Sequence, residues 1–172
     1  MGLFAGTIVE DLIYKYHRFS IRLTEYDYSH PGYYFITLVT QNRYKRFGVI
    51  INKKMQLNNI GRMIKKEWKQ IPKRFKPVVL DEYIIMPDHF HGIIKIIPTK
   101  KPSEKLTLFE IIGAFKSITT HKYIDGVKKT NWPRFNKRLW QLRFHDHIIR
   151  NENELSRIRD YVIANPYNYH KQ

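Results

Sequence analysis

"VVLDEYIIMPDHFHGIIKII", Val78 to Ile97, decides how this chain folds. Two apolar, β-branched runs, Val78–Met86 and His89–Ile97, are separated only by Pro87 and Asp88, residues that punctuate a chain. They read as two consecutive strands. The second run carries His89 and His91 two positions apart among apolar neighbours. Strand side chains alternate, so both imidazoles leave one face. Phe90, Ile94 and Ile96 leave the other to pack under helices.

Upstream, "YYFITLVTQ" (Tyr33–Gln41) is a further strand. A helix is expected from about Leu57, with Ile60, Met63, Ile64, Trp68 and Ile71 on one face and Pro72 at its end. Downstream, a polar linker precedes "TLFEIIGAFKSITTHKYI", which opens on a capping box, Thr107 to Glu110, and aligns Leu108, Ile111, Ile112, Phe115 and Ile118. The basic stretch "DGVKKTNWPRFNKR" reads as a loop and "LWQLRFHDHII" (Leu139–Ile149) as a fourth strand. A last helix is expected from Asn151 to about Asn165, stopped by Pro166. The order β-α-β-β-α-β-α places the chain in the α+β class. It predicts a ferredoxin-like antiparallel sheet with two helices on one face and one helix added at the C-terminus. The expected organisation is one domain over 1–172: a basic arm over 1–30, the core over 31–150 and the added helix over 151–166.

Composition bounds the chemistry. With 31 Lys and Arg against 15 Asp and Glu, the 172 residues carry a formal charge of +16. That excess points to nucleic acid as the partner. Without cysteine, disulfides, thiolate zinc sites and cysteine nucleophiles are excluded. A metal would have to be held by His, carboxylate, amide or carbonyl groups, which suits Mg²⁺ or Mn²⁺. No secretory signal or apolar run of about 18 residues is present, so a cytoplasmic protein with no membrane partner is expected.

The spacing of His89 and His91 lets two neutral nitrogens share one cation, although two hydrogen-bonded strand histidines have the same pattern. A second pair, His145 and His147 in "FHDHII", could join them in a four-histidine site. Because that pair flanks an acidic residue near a strand end, a hydrated surface pair is the expectation. The last helix offers Tyr161 and Asn165 in "RDYVIANP", one turn apart, beside an apolar stripe of Leu155, Ile158 and Val162. Core packing alone could account for that spacing. Two imidazoles and the Asn165 amide would be neutral ligands, leaving the charge of Mg²⁺ or Mn²⁺ to polarise a phosphate oxygen, with the Tyr161 phenol placed to attack.

"MPDHFHGII" resembles the HUH motif (histidine, bulky apolar residue, histidine) of single-tyrosine HUH transposases. "YVIANP" resembles the tyrosine helix of the REP-associated tyrosine transposases, an IS200-like group. "YDYSHPGYYFITLVTQNR", "IIGAFKSITT" and "LWQLRFHDHIIRNENEL" are similar to its opening strand, second helix and the approach to the tyrosine helix. The likeness runs from about residue 17 to 167, in the family's order. It implies that His89 and His91 bind the metal, that Asn165 completes the site and that Tyr161 is the nucleophile. It further implies a ferredoxin-like fold with an added tyrosine helix. Such proteins bind hairpin DNA, cleave single-stranded DNA beside it, and form a 5′-phosphotyrosine intermediate while releasing a 3′-hydroxyl for strand transfer. Two departures stand out. Asp88 occupies a position where the family commonly has Asn, and "YNYHKQ" replaces the family's usual continuation after Pro166.

Candidate DNA contacts are Lys15, His17, Arg18 and Arg22 in the arm, Arg43, Lys116, the helix face Lys65, Lys66, Lys69, Lys73 and Arg74, and the loop residues Lys128, Lys129, Arg134, Lys137 and Arg138. Tyr26, Tyr28 and Trp132 are candidates for stacking on unpaired bases. The rival readings are a non-catalytic hairpin DNA- or RNA-binding module of the same fold, and a nuclease in which water attacks and Tyr161→Phe is harmless. A replication initiator or relaxase is a further rival, but those usually carry appended domains. Monomer and homodimer are both open, as is whether Tyr161 serves its own subunit or a partner's.

Overall fold

A computed structural model describes residues 26–100 and 105–169. Its elements are β1 (Gly32–Val39), a 3₁₀ turn (Gln41–Arg43), β2 (Gly48–Ile51), β3 (Lys54–Leu57), α1 (Asn59–Lys69) and the single turn α2 (Ile71–Arg74). There follow β4 (Val78–Ile85), β5 (His89–Ile96), α3 (Leu108–Thr130), β6 (His145–Ile149) and α4 (Glu152–Asn168). The main sheet has the order β4-β5-β1-β6, every pair antiparallel. Counting its strands in chain order, that is fourth-first-third-second reversed, the ferredoxin-like arrangement expected. β2 and β3 pair separately as a hairpin.

Alternation in β1 and β5 divides the interior into two cores. Tyr34, Ile36 and Leu38 from β1, with Phe90, Ile94 and Ile96 from β5, face α1 and α3 and meet Ile64, Trp68, Ile111 and Phe115. Trp68 lies so close over β5 that a Cβ on Gly92 would sit 2.6 Å from the indole, so only glycine fits there. On the opposite face Phe35, Ile93 and Ile149 meet Leu155, Ile158 and Val162 of α4. Both central strands are therefore buried on two sides. Helix starts follow capping chemistry: Asn58 accepts from Gly61 N–H, Thr107 and Glu110 form a capping box, and Asn151 accepts from Glu154 N–H.

Four expectations are corrected. α3 continues through "DGVKKT", because Trp132 packs over Gly126 and occupies the space a side chain would need. Lys128 and Lys129 thus stand on its last turn rather than on a loop. The fourth strand is only His145–Ile149; Leu139 and Trp140 are buried by packing, with a lone bridge from Trp140 to Thr40. Pro72 begins α2 rather than ending α1, which already stops at Lys69. Pro166 lies inside α4, which runs to Asn168; so near the C-terminus a proline removes one hydrogen bond without ending the helix. The arm up to residue 25 lies outside the described residues. Residues 26–30 are docked on the core, with Tyr28 7% exposed and its carbonyl accepting from Leu108 N–H.

Candidate active site

The β1–β5 register sets Thr37 opposite His91 and Val39 opposite His89. That places both imidazoles on the face covered by α4. They are almost inaccessible, at 4% for His89 and 2% for His91, with ring centroids 4.7 Å apart. Each ring is held through Nδ1. Asp88 Oδ1 lies 2.7 Å from His89 Nδ1, and Thr37 Oγ1 lies 2.8 Å from His91 Nδ1. Burial pushes the Asp88 carboxyl up, but the His89 hydrogen bond and the nearby Arg43 charge outweigh it and hold it below its ordinary value. An ionised carboxylate can only accept, so His89 Nδ1 donates to it and the ring turns Nε2 away from Asp88. Phe35 stacks on His91 at 5.4 Å and fixes the second ring.

α4 brings the remaining parts. Tyr161 sets its ring 5.4 Å from His91, with its hydroxyl 3.5 Å from His91 Nε2 of the same chain. One turn on, Asn165 is 1% exposed, and among the described residues neither its amide oxygen nor its amide nitrogen has a partner. A buried amide left unsatisfied costs about 1–3 kcal/mol, so such a group calls for an occupant. Among the described residues no three His, Cys, Asp or Glu side chains gather to hold a metal. If a metal sits beside His89 and His91, the orphaned Asn165 amide oxygen is a donor within the same pocket. The donor set fits a divalent ion that takes nitrogen and oxygen ligands.

Two ion pairs fix α4 over this floor. Arg159 donates from Nε to Asp81 Oδ1 at 2.8 Å and from Nη2 to Asp81 Oδ2, and it holds the Asp81 carboxyl below its usual range. At the helix start, Glu154 accepts from Arg150 N–H at 2.8 Å and meets His147 Nε2 at 2.8 Å. The sheet register sets His147 opposite Phe35 and His145 opposite Thr37, so this second pair shares the face of the first. It is half-buried rather than hydrated surface, and β1 separates it from His89 and His91. Its partner and role are positional: His147 anchors the helix that carries Tyr161.

The DNA-contact expectations divide. Lys15, Arg18 and Arg22 lie outside the described residues. Lys128, Lys129, Arg134, Lys137 and Arg138 are exposed, and Arg43 is exposed beside Asp88 at 3.4 Å. Lys116 is committed elsewhere, its Nζ donating to the carbonyls of Gln141 at 2.7 Å and Leu142 at 3.0 Å, and burial lowers its pKa. The three stacking candidates are packed. Tyr28 sits against Phe109, Tyr26 meets the Tyr34 hydroxyl at 3.3 Å, and Trp132 rests on Tyr123. Sequence reasoning missed Thr37 and the Asp81–Arg159 pair, which only strand register and helix placement could reveal. It also missed Tyr169, whose ring lies 6.5 Å from His89 under Lys45.

Among the described residues no helix is long and apolar enough to cross a membrane. The chain is 39% identical over 160 residues to an uncharacterised protein of Haemophilus influenzae, covering 88% of this chain and 89% of that one. It is 26% identical over 143 residues to a second H. influenzae protein, whose name assigns it provisionally to the REP-associated tyrosine transposases; the match covers 81% of this chain and 73% of the relative. Among solved structures, a REP-associated tyrosine transposase bound to a REP hairpin shares the fold with a TM-score of 0.61 at 21% identity, covering 86% of this chain and 74% of its own. A family model described as "Transposase IS200 like" matches residues 29–165. With the histidine pair, the tyrosine helix and this match in agreement, the chain belongs to the IS200-like transposases.

Proposed function

We propose that this transposase cleaves and rejoins single-stranded DNA beside a hairpin, using Tyr161 as the nucleophile. The observation that carries the reading is the contact of the Tyr161 hydroxyl with the buried, oriented His91, one helical turn from the orphaned Asn165 amide. Packing alone would not leave a polar amide unpaired in a core.

The Tyr161 oxygen attacks the scissile phosphorus, the bond from phosphorus to the 3′-oxygen breaks, and the 5′-phosphate becomes linked to tyrosine. The proton lost by the phenol is matched by one gained at the 3′-oxygen. The ester exchange is nearly isoenergetic, so it needs no nucleotide cofactor and reverses when a 3′-hydroxyl attacks the phosphotyrosine. His89, His91 and Asn165 would hold Mg²⁺ or Mn²⁺, whose chemistry when bound is Lewis-acid polarisation of a non-bridging phosphate oxygen. Asp88 and Thr37 orient the two imidazoles through their Nδ1 atoms, and the Asp81–Arg159 and Glu154–His147 pairs hold the tyrosine over them. Within one chain the Tyr161 hydroxyl already reaches His91, which supports action in its own site. Hairpin-bearing DNA is the substrate suggested by the REP hairpin held in the solved relative. The charge of +16 supplies the phosphate attraction.

A denaturing gel tests this. Labelled single strands carrying hairpins from the gene's own flanks are incubated with the protein and Mn²⁺ or Mg²⁺. A slow-migrating covalent adduct that requires metal and disappears in Tyr161→Phe is expected. Cleavage without an adduct would replace the tyrosine by water, and binding without cleavage would reduce the protein to a hairpin-binding module.

A further inference from the structure

The segment Arg43-Tyr44-Lys45-Arg46 is joined to the histidine site more firmly than its exposed position suggests. Thr40 N–H donates to the Asp88 carbonyl at 2.9 Å, and the N–H groups of Arg46 and Phe47 donate to the Pro87 carbonyl at 2.8 and 3.0 Å. Thr40 Oγ1 lies 2.9 Å from both the Asp88 and the Tyr44 carbonyls. Between these staples, Asn42 and Arg43 both hold left-handed backbone conformations, at φ 58° and 52°. Asn tolerates that conformation, but an arginine side chain opposes it, so the neighbours of Arg43 must over-determine it. What the strain gains is placement. Arg43 reaches the Asp88 carboxylate, and Lys45 reaches over the Tyr169 ring beside His89.

Tyr44, between these two cations, remains 53% exposed. Its ring is backed by the Arg46 guanidinium, 5.3 Å from the centroid. Arg46 is itself immobilised, donating to the Tyr123 hydroxyl at 2.9 Å and lying over that ring at 5.7 Å. An exposed aromatic ring flanked by residues that touch the histidine site can offer its π-face to a base. Here the ring is braced by a cation while more than half of the residue stays exposed, with positive charge on both sides in the chain. This matches the requirements for gripping a single strand: a π-surface for one unpaired base and cations for the phosphates flanking it.

We propose that Tyr44 is a stacking platform for an unpaired base of single-stranded DNA, next to the scissile phosphate, with Arg43 and Lys45 holding the adjoining backbone. The proposal rests on the reading of the site as a DNA strand-transfer centre and names the element that grips its substrate.

The test uses full-length protein carrying Tyr161→Phe, so that no strand is cut. Single-stranded oligonucleotides with 2-aminopurine at successive positions are compared with a blunt duplex of equal length. In the Tyr161→Phe protein, and with Tyr44→Trp added, one or two positions should be quenched on binding. With Tyr44→Ala added, quenching at those positions should vanish and single-strand affinity fall about tenfold, with duplex affinity unchanged. Equal quenching and affinity in the Tyr44→Ala protein would overturn the proposal, as would equal losses on single strand and duplex. The covalent-adduct assay on protein with Tyr161 intact separates the two readings. An adduct without Tyr44-dependent quenching removes the platform alone. Tyr44-dependent quenching without an adduct removes the cleavage chemistry and leaves the platform.

Discussion

The two faces of the sheet are built to different rules. Under α1 and α3, large apolar side chains from β1, β5 and both helices interlock around Trp68, Phe90 and Phe115. Under α4, a much smaller cluster shares its floor with Thr37, Asp88, His89, His91 and Asn165, all buried and polar. On the first face, truncating any of these large side chains opens a cavity and enlarging one makes a clash, so it serves stability. The second accepts polar groups because Thr37, Asp88, His89 and His91 are paired there, while the Asn165 amide has no partner among the described residues. Stability and chemistry are thus divided across one sheet only a strand thick.

That division can be broken experimentally. Tyr161→Phe should abolish the covalent adduct completely while changing unfolding free energy by less than about 0.5 kcal/mol, measured by gel and by urea titration. Trp68→Ala should do the reverse, costing about 3–5 kcal/mol in the same titration. If the protein survives at low temperature, its adduct should still form. A tenfold weaker Mn²⁺ affinity, read by calorimetry or electron paramagnetic resonance, is expected of Asp88→Asn, because an amide orients His89 less strongly than a carboxylate. Unchanged affinity would show that Asp88 serves Arg43 alone. Asn165→Leu should lose metal affinity yet gain about 1 kcal/mol of stability, since it removes an unsatisfied buried amide; a loss of stability would mean that the amide already has a structural partner.

The smallest effect concerns pH. Arg159 holds the folded Asp81 carboxyl below its unfolded value of 3.8, so this pair stabilises α4 fully above that value. The contribution declines as pH falls from about 3.8 through the lower folded value. Glu67 follows the same direction: burial pushes its carboxyl up, but Lys122 and Arg74 outweigh it, and its contribution fades as pH drops below about 4.5. Asp81→Asn should therefore destabilise by about 1 kcal/mol at neutral pH and flatten the acid limb of the melting curve. An unaltered limb would assign the acid sensitivity to other carboxylates.

The parts legible in the sequence were those specified locally. The alternation of β1 and β5, the capping box at Thr107 and the turn spacing of Tyr161 and Asn165 each depend on residues within a few positions of one another. The β2–β3 hairpin was not legible. Its strands are short and half-exposed, and its turn places Asn52 and Lys53 at φ 49° and 60° without the glycine that usually marks such a turn. The facing of His145 and His147 was illegible for another reason, because it depends on β6 pairing with a strand more than a hundred residues earlier. Tyr26 and Tyr28 looked like free aromatics in a basic arm; only the docking of residues 26–30 against α3 shows them spent on packing.

His91 stands in the middle of the sheet, paired to Thr37 on one side and to Ile84 on the other. Backbone amides in so central a strand exchange their hydrogens with solvent only when the whole domain opens. The amides of the histidine pair should thus be among the last of the molecule to exchange, and its geometry should persist for as long as the fold does. α4, resting on the smaller cluster, can open at lower cost. A chain built this way would lose the placement of Tyr161 to local fluctuation long before it lost the histidine pair beneath it.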